Sequence, residues 1–274
     1  MDTKQNPELT QEDLSQMGDR LLRQALDLWV TPEIERRRTE GLIQGDVPVN
    51  AFQVIMPSPR EAEQRQDVRI NEEVGIVLQV KALEDVEKGQ LVTLGEVEPT
   101  GGMRLAEDED PNAGHFTALN LGGQWQMGFD FRRDKAYVQN LLKLAREFYA
   151  SAKLCIEQNL VGPAVDDLHA AAELAAKAEL LLFGSFAYEK PKDHGVLNSR
   201  YAKWAKSGNA PAAGNSALSV LNRQRAAARY AEGRIRIKDL RAVERNVESM
   251  IAHSESRLGE TGYEQPEGIT RRTL

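Results

Sequence analysis

The chain has 274 residues, of which 41% are hydrophobic and 28% are charged, and its formal net charge is −7. This composition argues against a disordered chain, and the length is sufficient for two domains. No apolar run reaches the ~18 residues that span a bilayer, and no apolar stretch follows a basic start at the N-terminus. We therefore expect a cytoplasmic protein without a membrane partner.

The sequence offers few residues for metal or redox chemistry. Cys155 is the single cysteine, which excludes an intrachain disulfide, and its place on an apolar stripe predicts core packing. The histidines are His115, His169, His194 and His253, and no two of them have the spacing of a helical metal pair. We expect no metal and no cofactor.

Charge is divided unevenly along the chain. Residues 1–130 hold 12 Lys and Arg against 25 Asp and Glu, a net charge of −13, whereas residues 131–274 hold 23 against 17, a net charge of +6. Such asymmetry indicates separate domains and predicts that a polyanionic partner meets the second one.

The first predicted element is an amphipathic helix of about 20 residues. Its start resembles a capping box at Thr10, and its apolar residues recur at steps of three and four: Leu14, Met17, Leu21, Ala25 and Leu28. We expect it to end before Pro32, which disfavours the helical conformation in the preceding residue. A further short helix over residues 34–43 is left open, and the run Arg36-Arg37-Arg38 is predicted to be a solvated face.

Residues 46–131 have a sequence pattern that is typical of β structure. Short runs rich in β-branched and aromatic residues are separated by Gly, Pro and Asn, at 49–56, 74–83, 90–97, 115–119 and 124–131. Because no helical pattern intervenes, the strands predict a small antiparallel barrel or sandwich.

From Lys135 the pattern becomes helical. The first helix carries one apolar stripe, formed by Tyr137, Leu141, Leu144, Phe148, Ala152 and Cys155. The second begins near Pro163 and ends near Gly184, with a small inward face made of Val165, Leu168, Ala172, Ala175, Ala178 and Leu182.

A loop over residues 186–210 is predicted next, with Tyr201 and Trp204 as anchors over the core in preference to a base-stacking platform. A third helix over 216–231 and a fourth over 239–258 follow. The inward residues of the fourth are Leu240, Val243, Val247, Met250 and Ser254. Four amphipathic helices predict an antiparallel four-helix bundle.

The expected protein is therefore of the α+β class. It comprises an N-terminal helical segment (1–45), an antiparallel β domain (46–131), a four-helix bundle (132–258) and a polar C-terminal tail (259–274).

The bundle region resembles a HEPN domain, a helical module found in many prokaryotic defence, toxin and nucleotidyltransferase-associated proteins. The resemblance covers about residues 134–258. It rests on Leu-Leu-Lys-Leu-Ala-Arg-Glu-Phe-Tyr at 141–149, Val-Gly-Pro-Ala at 161–164, Lys-Asp-His-Gly at 192–195 and Arg-Ala-Ala-Ala-Arg-Tyr at 225–230. It implies a homodimer formed through the bundle, in a defence or toxin–antitoxin context. The N-terminal half carries no such resemblance.

HEPN ribonucleases resemble one another in an arginine and a later histidine that are separated by four to six intervening residues. Here Arg225, or Arg223, matches the arginine, and Tyr230 occupies the place of the histidine. RNA cleavage needs an acid and a base that titrate near the working pH, which a histidine with a pKa of ~6.5 provides and a tyrosine near ~10 does not. The catalytic candidates are Arg225, Tyr230 and His194, and His169 is a further histidine that the fold can bring to the site.

The residues themselves support two interpretations. A basic surface can contact phosphates, with Tyr230 stacking on a base, and its predicted members are Arg223, Arg225, Arg229, Tyr230, Arg234 and Arg236. Alternatively, Arg225 bridges to Glu173 or Glu179 of the second helix and the other basic residues are a solvated face.

Three functions follow from these interpretations. The leading hypothesis is a non-catalytic or weakly catalytic protein that binds RNA or the phosphates of a nucleotide. The second is a metal-independent endoribonuclease that uses Arg225 with Tyr230 or His194. The third is an assembly protein whose bundle and β domain contact protein partners.

Overall fold

The computed structural model describes residues 10–58, 65–93, 96–106, 109–183, 194–229 and 237–259. The chain divides into two compact units. The β unit comprises Met1–Met56, Arg65–Asp108 and His115–Phe129, and the helical unit comprises Pro57–Gln64, Glu109–Gly114 and Asp130–Leu274. Helices and antiparallel sheets come first and a set of long helices follows, so the α+β prediction is confirmed.

The N-terminal helix does not end at Pro32. Helix α1 (Gln11–Ala25) continues through a π-helical turn (Leu26–Val30) into α2 (Thr31–Thr39). A proline lacks the N–H that a helix interior requires, and its ring clashes with the carbonyl four residues earlier. The wider turn, in which the N–H of Thr31 bonds to the carbonyl of Leu26, places Pro32 in the first turn of α2, where its missing N–H has no cost.

The arginine run of α2 is only partly a solvated face. The side chains of Arg36 and Arg38 are 48% and 44% exposed, but that of Arg37 is 17% exposed. Arg37 donates to both carboxylate oxygens of Glu73 and to the carbonyl of Val68. It thereby fixes α2 to the strand region of the same unit.

Six strands lie in the described part of the chain. They are β1 (Ala51–Met56), β2 (Asp67–Ile70), β3 (Ile76–Ala82), β4 (Val97–Leu105), β5 (Gly114–Leu121) and β6 (Gln124–Asp130). One sheet has the order β2-β1-β5-β6, and β3 pairs with β4 in a separate antiparallel two-stranded sheet. Both sheets are open, so the predicted barrel is wrong.

The strand predicted at 90–97 is also wrong. Residues 90–93 and Glu96 are not in a strand, and the carboxylate of Glu96 accepts hydrogen bonds from the backbone N–H and the hydroxyl of Thr93. The strand begins only at Val97, and its Pro99, Gly101 and Gly102 hide it from propensity rules. The sequence did not predict strand β2, because the strand has only four residues and two of them are charged.

Aromatic side chains form the centre of the β-unit core. The rings of Phe52 and Phe116, both fully buried, lie 5.8 Å apart, and Trp29 packs against Phe116 at 5.6 Å. Strands β5 and β6 are joined by Gly122 and Gly123, whose φ angles of 58° and 88° suit the two-residue turns of tight hairpins.

The helical unit contains five helices in its described residues. They are α3 (Lys135–Glu157), α4 (Val161–Leu182), α5 (His194–Lys206), α6 (Ala212–Arg229) and α7 (Ile237–Gly259). Four of them are long and form the predicted bundle, with the inward faces expected for α4 and α7 buried. None of the described helices combines the length and the apolarity that crossing a membrane would require.

Helix α5 replaces most of the predicted loop. Leu197 and Tyr201 are buried on its inner face, and Trp204 stacks on Phe183 with ring centroids 5.7 Å apart. These three residues recur at steps of four and three, a helical spacing that Gly195, Asn198 and Ser199 disguised. Tyr201 and Trp204 are thus anchors over the core, as expected.

The buried stripe of helix α3 only partly matches the predicted one, because Leu141 and Ala152 are buried and Tyr137, Phe148 and Cys155 are partly buried against the same core. Leu144 is 41% exposed, whereas the buried residues are Val138, Leu141, Leu142, Ala145, Tyr149, Ala152 and Ile156. The helix carries two adjacent apolar stripes, and because it packs against both α4 and α7, its neighbours select the second one.

Two side chains close helix ends in the helical unit. The amide oxygen of Asn112 accepts the N–H of Ala136 at 2.9 Å, in the first turn of α3. Arg132, only 8% exposed, donates to the carbonyls of Arg257 and Leu258 at the end of α7 and is held by the carboxylate of Asp130.

Candidate nucleic-acid interface

Helix α6 carries polar side chains next to its buried apolar face. Leu218 and Leu221 are buried against the bundle core. Asn222 and Arg225 follow three residues apart, so both lie on the side of α6 that faces α4. The same helix therefore carries the core contact and the first polar groups beyond it.

Two polar side-chain contacts join α6 to α4. The Nε2 atom of His169 lies 2.7 Å from Oδ1 of Asn222, so the ring N–H donates to the amide oxygen. One helical turn away, the Nε of Arg225 lies 3.3 Å from Oδ1 of Asp166. Both pairs connect residues three apart on each helix, which requires antiparallel helices in a fixed register.

The two contacts differ in their access to solvent. His169 is 1% exposed, and its second ring nitrogen faces the carboxylate of Glu173 at 3.5 Å. The side chains of Arg225 and Asp166 are each 29% exposed. The contact of His169 with Asn222 thus belongs to the core, and the contact of Arg225 with Asp166 lies at the surface of the bundle.

The carboxylate that meets Arg225 belongs to α4, as the structural alternative expected, but it is Asp166 and not Glu173 or Glu179. Glu179 is fully buried elsewhere in the bundle. Its carboxylate accepts hydrogen bonds from the hydroxyl of Ser254 at 2.9 Å and from the indole N–H of Trp204 at 3.4 Å. It ties α4 to α5 and α7 and is not available to α6.

The remaining predicted residues fall into three groups. Arg223 is exposed on α6. Arg229 is the last residue of α6 and His194 is the first residue of α5, and the structure describes the backbone of both. Tyr230, Arg234 and Arg236 lie outside the described residues. The structure thus brings Arg225 to Asp166 and His169 to Asn222, and it leaves the predicted partnership of Arg225 with Tyr230 untested.

The described groups are suited to binding anions more than to transferring protons. The imidazole of His169 is enclosed in the core, where no substrate atom reaches it. Among the described residues, no three side chains of His, Cys, Asp or Glu form a cluster that could hold a metal ion. The exposed cationic groups described on α5 and α6 are the ammonium groups of Lys203 and Lys206 and the guanidinium group of Arg223.

Helices α5 and α6 share a charge pattern that the motif-based prediction missed. Between residues 194 and 229 there are six basic residues and no acidic one. On α5, Arg200, Lys203 and Lys206 recur every three residues, and Lys203 and Lys206 lie on the side away from the buried Leu197 and Tyr201. Lys203 and Lys206 are exposed. The absence of acidic residues was visible in the sequence, but the prediction of a loop concealed that Lys203 and Lys206 are exposed on one side of a helix.

Comparison with known protein families identifies the helical unit. Residues 138–256 match the family model of the HEPN domain, which confirms the resemblance for this region and covers less than half of the chain. Searches of curated proteins and of solved structures gave no match. The β unit lies outside the matched region.

Proposed function

We propose that the helical unit binds the phosphate groups of RNA on the surface formed by α5 and α6, without cleaving the RNA. The observation that carries the proposal is the stretch from 194 to 229, which holds six basic residues and no acidic one. Cations on such a surface displace counterions from a phosphate backbone, which supplies most of the affinity of sequence-independent binding.

The exposure of individual residues supports this assignment. Lys203, Lys206 and Arg223 are exposed, so a phosphate can reach their charges without displacing a protein partner from the core. Arg225 is partly neutralised by Asp166, and a partly exposed pair of this kind contributes little to stability, so exchange of the carboxylate for a phosphate has a small cost. Arg225 is therefore a secondary contact at the edge of the surface.

Binding is favoured over cleavage for a chemical reason. Tyr230 stands where the HEPN ribonucleases carry their histidine, and His169, the histidine nearest to the α6 arginines among the contacts described, is 1% exposed. A buried imidazole has no path for exchanging a proton with an RNA hydroxyl. The endoribonuclease hypothesis would need Tyr230 or His194 to supply that chemistry.

The test compares two double variants by fluorescence anisotropy with a labelled single-stranded RNA. Lys203→Glu/Lys206→Glu should weaken binding by about tenfold or more, and should make the salt dependence shallower by roughly 0.7 for each phosphate that the variant no longer binds. The matched control is Lys81→Glu/Lys88→Glu, which changes the charge equally at exposed positions of the β unit. It should leave affinity within about twofold of the wild type, because only long-range charge is altered.

The same samples decide between binding and cleavage. RNA incubated with wild-type protein in EDTA should remain intact on a gel. Equal losses of affinity in both double variants would contradict the α5–α6 assignment, and cutting that Arg225→Ala abolishes would replace the proposal with the endoribonuclease hypothesis.

The proposal extends to the setting of the protein. We place it in the cytoplasm, as a homodimer formed through the helical unit, in a defence or toxin–antitoxin role. These assignments are supported by the HEPN match of residues 138–256 and the resemblance on which the prediction rested.

A further inference from the structure

The helical unit contains an open groove between α3 and α7. The groove has a volume of about 670 Å³, and pockets that bind small molecules have volumes of roughly 300–1,000 Å³. Its walls are the first turns of α3, the last turn of α7 and the segment that precedes β5. The lining is mainly apolar, and the lining residues that the structure describes all belong to the helical unit.

The groove extends along the start of α3. Five residues of this helix between positions 135 and 143 line it, and their spacing places them on one side of the helix. The end of α7 lies beside the start of α3, since Arg132 donates to the carbonyl of Leu258 at 3.3 Å. Ala136, in the first turn of α3, therefore lies at the same end of the groove as Leu258. Lys143 lies two turns later in α3, about 10 Å further along the helix axis.

The charges around the groove leave one cation available. Lys135 is held by the carboxylate of Asp130, with Nζ and Oδ2 3.1 Å apart. The carboxylate of Glu255 accepts two hydrogen bonds from Arg146, at 2.8 Å and 2.5 Å. Lys143 is exposed and makes no ion pair within the part of the chain that the structure describes. The groove therefore attracts a negative charge to the Lys143 end.

The side chain of Gln139 complements this cation. It lines the same wall, is exposed, and lies one helical turn before Lys143. An amide and an ammonium group at this spacing can both donate hydrogen bonds to one anionic group. The other end of the groove, at Ala136, Pro111 and Leu258, offers apolar contact. An anion with an apolar body satisfies both ends, whereas a cation would be repelled and a wholly polar ligand would gain nothing from the apolar end.

We infer that the groove between α3 and α7 binds a small organic anion whose apolar body is about 10 Å long. The anionic group contacts Lys143 and Gln139, and the apolar body contacts Ala136, Pro111 and Leu258. Aliphatic and aromatic acids share this chemistry. The inference does not rest on RNA binding, because the exposed cations of α5 and α6 do not line the groove.

The experiment titrates the full-length protein with two fluorescent probes. Anilinonaphthalene sulfonate is an aromatic anion, and phenylnaphthylamine has the same ring system without the sulfonate. Lys143→Gln should weaken binding of the anionic probe by about fivefold or more, because a charged hydrogen bond is lost, and should leave binding of the neutral probe within about twofold of the wild type. Ala136→Phe should weaken both probes by about fivefold or more, because the added ring fills the apolar end.

Matched controls make the same substitutions on α3 outside the groove. Lys153→Gln and Ala150→Phe are at exposed positions that do not line it, and both should bind the probes like the wild type. Because Ala136 and Lys143 are exposed as well, circular dichroism should show an unchanged helix content for all four variants. The inference is overturned if the controls lose as much affinity as the groove variants, or if Lys143→Gln weakens both probes equally.

Competition with the anionic probe distinguishes the two kinds of acid. Decanoate has an aliphatic body and naphthoate has an aromatic one, and at least one of them should displace the probe. AMP, whose sugar and base are polar, should not displace it. Displacement by AMP, or by neither acid, would contradict the inference. So would a probe that halves the mass measured by light scattering, because the groove would then be an interface between two copies of this chain.

Discussion

At the residue scale, one glycine shows how tightly α6 is packed. A Cβ atom on Gly214 would collide with Cγ of Met250 and lie 3.0 Å from the hydroxyl oxygen of Tyr201. Burial raises the pKa of the Tyr201 hydroxyl, so this group stays neutral and does not move towards solvent by ionising. Only glycine lets α6 approach α5 and α7 at this distance.

We expect Gly214→Ala to lower the free energy of unfolding by about 1–3 kcal/mol, as overpacking of a core does. Chemical denaturation followed by circular dichroism measures the change. Gly18→Ala is the control, because its Cβ would meet Cε of Met127 at an ordinary 3.5 Å and alanine favours helix α1. An unchanged midpoint for Gly214→Ala would show that Met250 and Tyr201 adjust freely.

Pairs of residues were harder to predict than single residues. Arg225 could be singled out because an arginine that continues the Leu218–Leu221 stripe needs a partner. Its carboxylate could not be chosen from Asp166, Glu173 and Glu179, because these residues share one helix and differ only in the register between α4 and α6. That register depends on side chains such as His169 and Asn222, whose contact is a property of the folded bundle.

At the scale of elements, the end of α7 depends on an ion pair from outside the helix. Burial alone would raise the pKa of Asp130, but the hydrogen bonds from Arg132 outweigh it and hold the pKa below its ordinary value. The carboxylate therefore orients the guanidinium that caps the carbonyls of Arg257 and Leu258. A group with a lowered pKa stabilises the fold above its unfolded-state pKa and loses this effect as the pH falls through the folded value.

We expect Asp130→Asn to cost about 1–3 kcal/mol of unfolding free energy at neutral pH, since a charged hydrogen-bond acceptor is removed. The difference from the wild type should stay constant down to about pH 5 and shrink below about pH 4, as the pH falls from the unfolded-state pKa towards the lower pKa of the folded wild type. Thermal unfolding across this pH range measures it. Asp67→Asn, which breaks an exposed pair with Arg69, should cost less than about 1 kcal/mol, and a pH-independent difference for Asp130→Asn would contradict the argument.

Elements with strong periodicity could be predicted, and those with interrupted patterns could not. The long helices α3, α4 and α7 repeat apolar residues over several turns, so their positions follow from the sequence. Helix α5 is short and contains Gly195 and Asn198, and β4 contains Pro99 and two glycines, so local propensity pointed away from the observed structure. Burial of Leu197 and Tyr201 against the bundle core stabilises this segment as helix α5.

At the scale of the whole molecule, the outer face of α3 offers a surface for the proposed homodimer. Leu144 and Leu154 are 41% and 59% exposed on this helix. We expect light scattering to give twice the mass of one chain for the wild type, and one chain mass for Leu144→Asp/Leu154→Asp, because a charge in an apolar interface is costly to desolvate. Leu42→Asp in the β unit should leave the mass unchanged, and a monomeric wild type would rule out the dimer.

The fold class and the unequal charges of the two halves could be predicted because both are sums over many residues. The open sheets could not, because closure of a barrel depends on how strand edges meet in the folded chain.

The chain enters the helical unit three times, because Pro57–Gln64 and Glu109–Gly114 belong to it as well as Asp130–Leu274. Recombination at residue 130 would therefore separate α3 from Asn112, whose amide caps its first turn. A gene fragment that encodes only the matched HEPN region therefore omits part of the helical unit.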